Sequence, residues 1–205
     1  YPENNMKAAK IFLLLFISVT FTTNAQLVER WKTYTDMKQV RHFSISDDIF
    51  WAATSGGAFQ YNLSNNEYSV FTKTNGLNGS PLTSLTKDND GKIWFGSQNG
   101  IIDVYNPSNN SFKRILDIFN TERIGKTINE LVAIGDTIYT ATNFGLSLIN
   151  SEQYFFYDTF FRFGTFASNI KVNSSYRDGL LYVCTEQGLA VQKPGAVNLS
   201  APESW

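Results

Sequence analysis

The chain has 205 residues, of which 42% are hydrophobic and 15% aromatic, with a net charge of −1. That is ample apolar material for a core, and without a cationic excess it excludes a protein built to hold DNA or RNA by charge. One His and one Cys leave too little for a metal cluster, a disulfide or a Cys/His nucleophile, so no cofactor is expected, while plentiful Asn, Ser, Thr and Gly suit short strands joined by turns.

The first predicted element is an address. Residues 1–5 have no place in it and read as translation upstream of a start at Met6. From there the chain runs Met6-Lys7-Ala8-Ala9-Lys10, an apolar stretch from Ile11 to Phe21, and Thr22-Thr23-Asn24-Ala25. A basic head, an apolar run too short for a membrane span and a small-residue end predict a cleavable signal peptide over 6–25, cut after Ala25. No Cys follows the cut, which argues against a lipid anchor.

The mature chain, 26–205, opens on Trp31-Lys32-Thr33-Tyr34, read as a strand over 31–35. Beyond it one frame recurs four times: an aliphatic residue or Phe, Trp or Tyr, two residues, Thr or Ser, two residues, Gly. It occupies 50–57, 93–100, 138–145 and 181–188, and its aromatic is Trp51, Trp94, Tyr139 and Tyr182. A repeat of about 43 residues is the length of a propeller blade. Upstream of each frame lies a short apolar strand, at Val40–Ile45, Leu82–Thr86, Ile128–Ile134 and Ile170–Ser174. Between the two stand Asp47-Asp48, Asp88-Asn89-Asp90-Gly91, Gly135-Asp136 and Arg177-Asp178-Gly179, which suit tight hairpins. Third strands are expected at Ala58–Asn62, Ile101–Asn106 and Leu146–Asn150, and aromatic fourth strands at Tyr68–Phe71 and Tyr154–Tyr157.

The expected fold is all-β: a β-propeller of four-stranded antiparallel blades, about four of a ring of seven, with open sheet edges. In this reading strand 31–35 is an outer strand that latches a blade completed from the distant C-terminus. Two residues after each frame aromatic stand Ala53, Gly96, Ala141 and Cys184, always small, as close sheet packing demands. Cys184 is therefore expected in the core. His42 is read as structural, and Asp88–Gly91 as a hairpin because it lacks the remaining ligands of a calcium loop.

The turn Phe71-x4-Gly76-Leu77 with Asp90-Gly91-Lys92-Ile93-Trp94-Phe95-Gly96-Ser97 resembles the two-component-regulator propeller repeat. Across 26–205 the order of details is similar to the family of N-terminal propellers of PorZ, in the attachment complex of the type IX secretion system. Those details are Trp31–Tyr34, Asn99-Gly100-Ile101-Ile102-Asp103, Lys126-Thr127-Ile128-Asn129, Gly188-Leu189-Ala190-Val191 and Asn198-Leu199 before Trp205. The resemblance implies a cell-surface scaffold that is not an enzyme and works beside a sortase-like peptidase and anionic lipopolysaccharide. The alternative it leaves open is a periplasmic glycan-sensing propeller of a hybrid two-component regulator. An enzyme ranks third, since no paired carboxylates or Ser/His/Asp set recurs in the loops.

Any binding surface is expected on the face that carries the frame turns and the loops between blades. These supply Asn75, Asn78, Asn99, Asn143 and Gln187, with Arg123, Lys126 and Arg162 as cations. Amides suit sugar hydroxyls and cations suit phosphate or carboxylate. Phe160, Phe161, Phe163 and Phe166 around Gly164 form a dense aromatic group on the same side.

Overall fold

A computed structural model of the chain describes residues 34–205. The signal segment, its cleavage point and residues 31–33 lie outside the described residues. Among the described residues, fifteen strands form four antiparallel sheets, each in simple chain order. Sheet 1 is β1 (Val40–Ser46), β2 (Ile49–Thr54), β3 (Ala58–Asn62) and β4 (Tyr68–Phe71). Sheet 2 is β5 (Leu82–Lys87), β6 (Ile93–Ser97), β7 (Ile102–Asn106) and β8 (Ser111–Ile115). Sheet 3 is β9 (Ile128–Ile134), β10 (Thr137–Thr142), β11 (Gly145–Asn150) and β12 (Phe156–Phe160), and sheet 4 has three strands, β13 (Val172–Asp178), β14 (Leu180–Thr185) and β15 (Gly188–Val191). One short helix, α1 (Asp117–Asn120), lies between sheets 2 and 3.

The frame falls on the second strand of every sheet, and alternation along that strand decides what packs where. Trp51 and Ala53 pack toward Leu82, Leu85, Phe95 and Tyr105 of sheet 2. Trp94 likewise faces the following sheet, in a core with Ile128, Leu131, Ile138 and Ile149 of sheet 3, while its neighbour Phe95 faces back to sheet 1. Tyr139 and Ala141 meet Val172, Leu181 and Val183 of sheet 4. Four sheets thus enclose three apolar layers. The small position lies at the closest approach: a Cβ on Gly96 would stand 2.6 Å from Ile128 Cγ2. Cys184 occupies the same place in sheet 4 but is exposed, because among the described residues no sheet follows to cover it. The expectation of a core cysteine is corrected accordingly.

First strands run beside first strands, β1 against β5, β5 against β9 and β9 against β13, so the sheets fan out from this inner row. Inner strands have one edge without a ladder partner, and its backbone groups must be satisfied otherwise. Side chains from the preceding blade do so. His42 Nδ1 accepts from the Leu85 N–H at 3.1 Å, Thr86 Oγ1 from the Ala133 N–H at 3.3 Å and Glu130 Oε2 from the Ser175 N–H at 3.0 Å. Asn129 Nδ2 donates to the Val172 carbonyl at 2.7 Å. His42 is structural, with its imidazole in a blade-to-blade bond.

Among the boundaries that differ from expectation, the fourth strand of sheet 3 does so because side-chain packing overrides strand propensity. Tyr154 leaves the predicted fourth strand at φ 65°. Its ring stacks on buried Trp94 at 5.7 Å and takes Lys113 over its face at 3.9 Å, tying sheet 3 back to sheet 2, and β12 starts at Phe156. Ile170 and Lys171 belong to the loop before β13, where the Lys171 carbonyl accepts from the Glu186 N–H. Tyr34 and Thr35, the described part of the expected latch, are in no strand.

The frame Gly and Thr act together. Thr54, Thr142 and Thr185 each donate Oγ1 to the carbonyl of the Gly three residues on, at 2.7, 2.9 and 2.8 Å. Gly145 needs its hydrogen: φ is 143°, and a Cβ there would lie 2.3 Å from the Phe160 carbonyl oxygen. Gly135, at φ 57°, has nothing within 4 Å. Replacing Gly135 by Ala introduces only backbone strain, about 1 kcal/mol, whereas Gly145→Ala adds a backbone clash that moves β12 and should cost roughly 2–4 kcal/mol. Denaturant unfolding of the two variants checks the order, which reverses if the frame turn is plastic.

Candidate functional site

Frame turns and inter-blade loops share one face, as antiparallel order requires. They are bonded into one surface by a contact made in every blade. The residue after the frame hydroxyl donates its N–H to the loop that leads into its own sheet: Ser55 to the Gln39 carbonyl at 3.2 Å, Gln98 to Pro81 at 2.9 Å, Asn143 to Thr127 at 3.2 Å and Glu186 to Lys171 at 3.1 Å. Neighbouring blades join through Ser80 Oγ, which donates to the Ser55 carbonyl at 3.3 Å, and Thr127 Oγ1, which donates to that of Gln98 at 3.0 Å.

Most of the predicted residues are committed within this surface. Asn75 Oδ1 accepts from the Thr72 N–H and hydroxyl. Asn78 Nδ2 donates to the Gly76 carbonyl and to Asp103 Oδ1, and Asn78 Oδ1 accepts from Arg114. Asn99 Oδ1 accepts from Ser97 Oγ at 2.7 Å, Asn143 Oδ1 from Asn129 Nδ2 at 3.0 Å and Gln187 Oε1 from the Ala167 N–H at 3.1 Å. Lys126 Nζ donates to the Phe119 carbonyl at 2.7 Å. Arg162 is exposed, with no hydrogen bond or ion pair among the described residues.

Sequence reasoning missed Asp103. Its fully buried carboxylate accepts from the N–H groups of Asn78 at 2.8 Å and Gly79 at 2.6 Å, fixing the loop between blades 1 and 2. An acid between Ile102 and Val104, in a strand otherwise apolar on both faces, was the available signal.

Arg123 is where predicted residues converge. Its guanidinium lies 4.0 Å from the Phe161 ring centroid and 5.6 Å from that of Phe144, and Nη1 donates to Asn169 Oδ1 at 2.6 Å. Phe160 and Phe163, by contrast, are buried, and Phe163 packs edge-on against Trp205 at 4.9 Å. Beside Arg123 opens a cavity of about 210 Å³ between α1 and the outer half of sheet 3. Its floor holds the paired hydroxyls of Thr159 and Ser147, 3.1 Å apart, and Asp117 stands at its rim.

The opposite face carries the hairpins. Asp88 there accepts from the Asp90 and Lys92 N–H groups and, at 2.8 Å, from Trp94 Nε1, so its carboxylate shapes the turn from within. The Asp90 carboxylate beside Lys92, aided by Tyr154, pushes that ammonium up to about 12. Among the described residues no three His, Cys, Asp or Glu side chains lie close enough to hold a metal ion, and no helix is long and apolar enough to cross a membrane.

A sequence profile described as the N-terminal β-propeller domain of PorZ of the type IX secretion system (TSS9) matches residues 49–205. No curated protein matches the chain. Among solved structures, the chain is similar to PorZ of Porphyromonas gingivalis, described as an essential bacterial surface component of the type IX secretion system, at 20% identity and a TM-score of 0.72 over 86% of this chain and 23% of that one. It is also similar to the extracellular domains of two hybrid two-component systems of B. thetaiotaomicron. One aligns at 22% identity and TM-score 0.64 over 82% of this chain and 22% of the other, the second at 21% and 0.61 over 80% and 24%. The chain therefore spans about a quarter of the length of these three structures.

Glu130, half-buried between the inner strands, carries a pH dependence. Burial pushes its carboxyl above the usual range, against the opposing pull of the Ser175 N–H and of His42. A raised folded-state value means that the folded protein binds the proton more tightly than the unfolded chain. The charged form therefore costs stability above the folded value, and the cost vanishes as pH falls below the unfolded one. Glu130→Gln keeps an acceptor for Ser175 without the charge. It is expected to raise the denaturation midpoint at neutral pH, with the gain shrinking toward zero near pH 4. A loss at neutral pH would show the charge to be favourable.

Proposed function

The chain belongs to the family of PorZ N-terminal β-propellers, and from that premise we propose that it serves as a non-enzymatic scaffold on the cell surface, in the attachment machinery of type IX secretion. The observation that carries this reading is the family match, which takes in all four frames. In this role the protein is exported through its signal segment and holds secretion-complex partners, a sortase-like peptidase among them, together with anionic lipopolysaccharide. A face knitted from loop to loop suits the task. Scaffolding needs a rigid surface and no reacting group, and the bonds that consume Asn75, Asn78, Asn99, Asn143 and Gln187 supply rigidity. The cations that remain toward solvent suit phosphate or carboxylate on a partner or glycan. The likeness to extracellular domains of two-component systems supports a second reading, a glycan sensor in the periplasm.

Deleting the gene in the parent organism separates the two. Under the scaffold reading cargo is made and exported but not anchored, with transcription unchanged; normal anchoring with a lost glycan-induced transcriptional response overturns it. On the protein itself, Arg162→Glu with Lys126→Glu is expected to weaken capture on immobilised anionic lipopolysaccharide about tenfold at low salt, with the difference fading at high salt and the strand content by circular dichroism retained. Capture that stays the same would remove this face from lipopolysaccharide binding.

A further inference from the structure

The cavity beside Arg123 has a chemistry of its own. Asp117 and Arg123 line the same space, yet they form no ion pair, and Asp117 has no side-chain hydrogen bond among the described residues. Arg123 is engaged elsewhere: its guanidinium lies 4.0 Å from the Phe161 ring centroid and donates to Asn169. An acceptor and a donor of full charge are thus kept apart across apolar walls, above a floor of two hydroxyls. A ligand that fits must offer donors to Asp117, acceptors to Arg123 and the floor, and a non-polar flank to Phe144 and Phe156, since the Phe161 ring is already covered by the guanidinium. The volume, about 210 Å³, is below the range usual for larger ligands and suits one ring.

We propose that this cavity is a binding site for a single neutral sugar ring, with its C–H flank on the phenylalanines and its hydroxyls bridging Asp117 and Arg123. Sugar hydroxyls donate and accept at once, so one ring serves both charges, whereas a lone anion is repelled by Asp117 and a lone cation by Arg123. The proposal stands apart from the scaffold reading: a neutral sugar site is compatible with scaffold or sensor, and its loss leaves the capture of anionic lipopolysaccharide through Arg162 and Lys126 untouched.

Saturation-transfer NMR on the whole protein tests it, with methyl β-glucopyranoside and methyl α-mannopyranoside as probes and glycine and methyl phosphate as comparators. Transfer to ring C–H protons of at least one glycoside is expected. Asp117→Ala, an exposed position whose loss breaks no bond in the fold, is expected to weaken that affinity about tenfold. Glu152→Ala, on the opposite face, is expected to leave it unchanged. Absence of transfer from both glycosides overturns the proposal, as does binding that Asp117→Ala leaves intact. Transfer to glycine or methyl phosphate with none to the glycosides overturns it as well, and would make this a zwitterion site or an anion site at Arg123.

Discussion

Sheets 2 and 3 are apolar on both faces, and that constraint organises everything else. A strand such as β6 (Ile93–Ser97), buried at every position, cannot meet water on either side. It is stable only between two other sheets, and a chain of such sheets joined by short loops must stack them in order. Stacking brings inner strands side by side and leaves their edges facing one another across blade boundaries. The small frame residues permit the approach, as Gly96 under Ile128 illustrates, and His42, Thr86, Asn129 and Glu130 supply the polar bonds that the approach would otherwise strand.

The two rims of the stack then take different characters. On the hairpin rim, Asp88 satisfies its own turn from within and Tyr154 returns from sheet 3 to cover Trp94 of sheet 2, so polar bonds shape the hairpin while an aromatic contact ties one sheet to the next. On the loop rim, frame hydroxyls and lead-in carbonyls form a repeating lattice of backbone bonds. Regularity leaves little chemistry over. What is left collects where the repeat is broken by an insertion: the connection between sheets 2 and 3 holds α1 and the Arg123 loop, and there unpaired charge, aromatic rings and a cavity coincide. Specialised binding in a repeat protein belongs at such irregular loops, since they can vary without disturbing the layers that hold the fold.

The sequence by itself determined the architecture. Frame spacing, the alternation on either side of Trp51, Trp94 and Tyr139, and the Asp/Gly corners identify the blades, because each is a local requirement of strand pairing or turn geometry that a single residue type meets. Strand ends followed where nothing competed, as at Ala58–Asn62 and Tyr68–Phe71. Tertiary structure decided what depends on residues a whole blade apart. It drew Tyr154 out of its strand onto Trp94 and spent the loop amides on neighbouring loop and strand groups. It also set Arg123 against Phe161 and away from Asp117. Periodicity carries which face a residue lies on, but a side chain's partner is fixed by the packing of one sheet on the next, and that distance is not written in any local pattern.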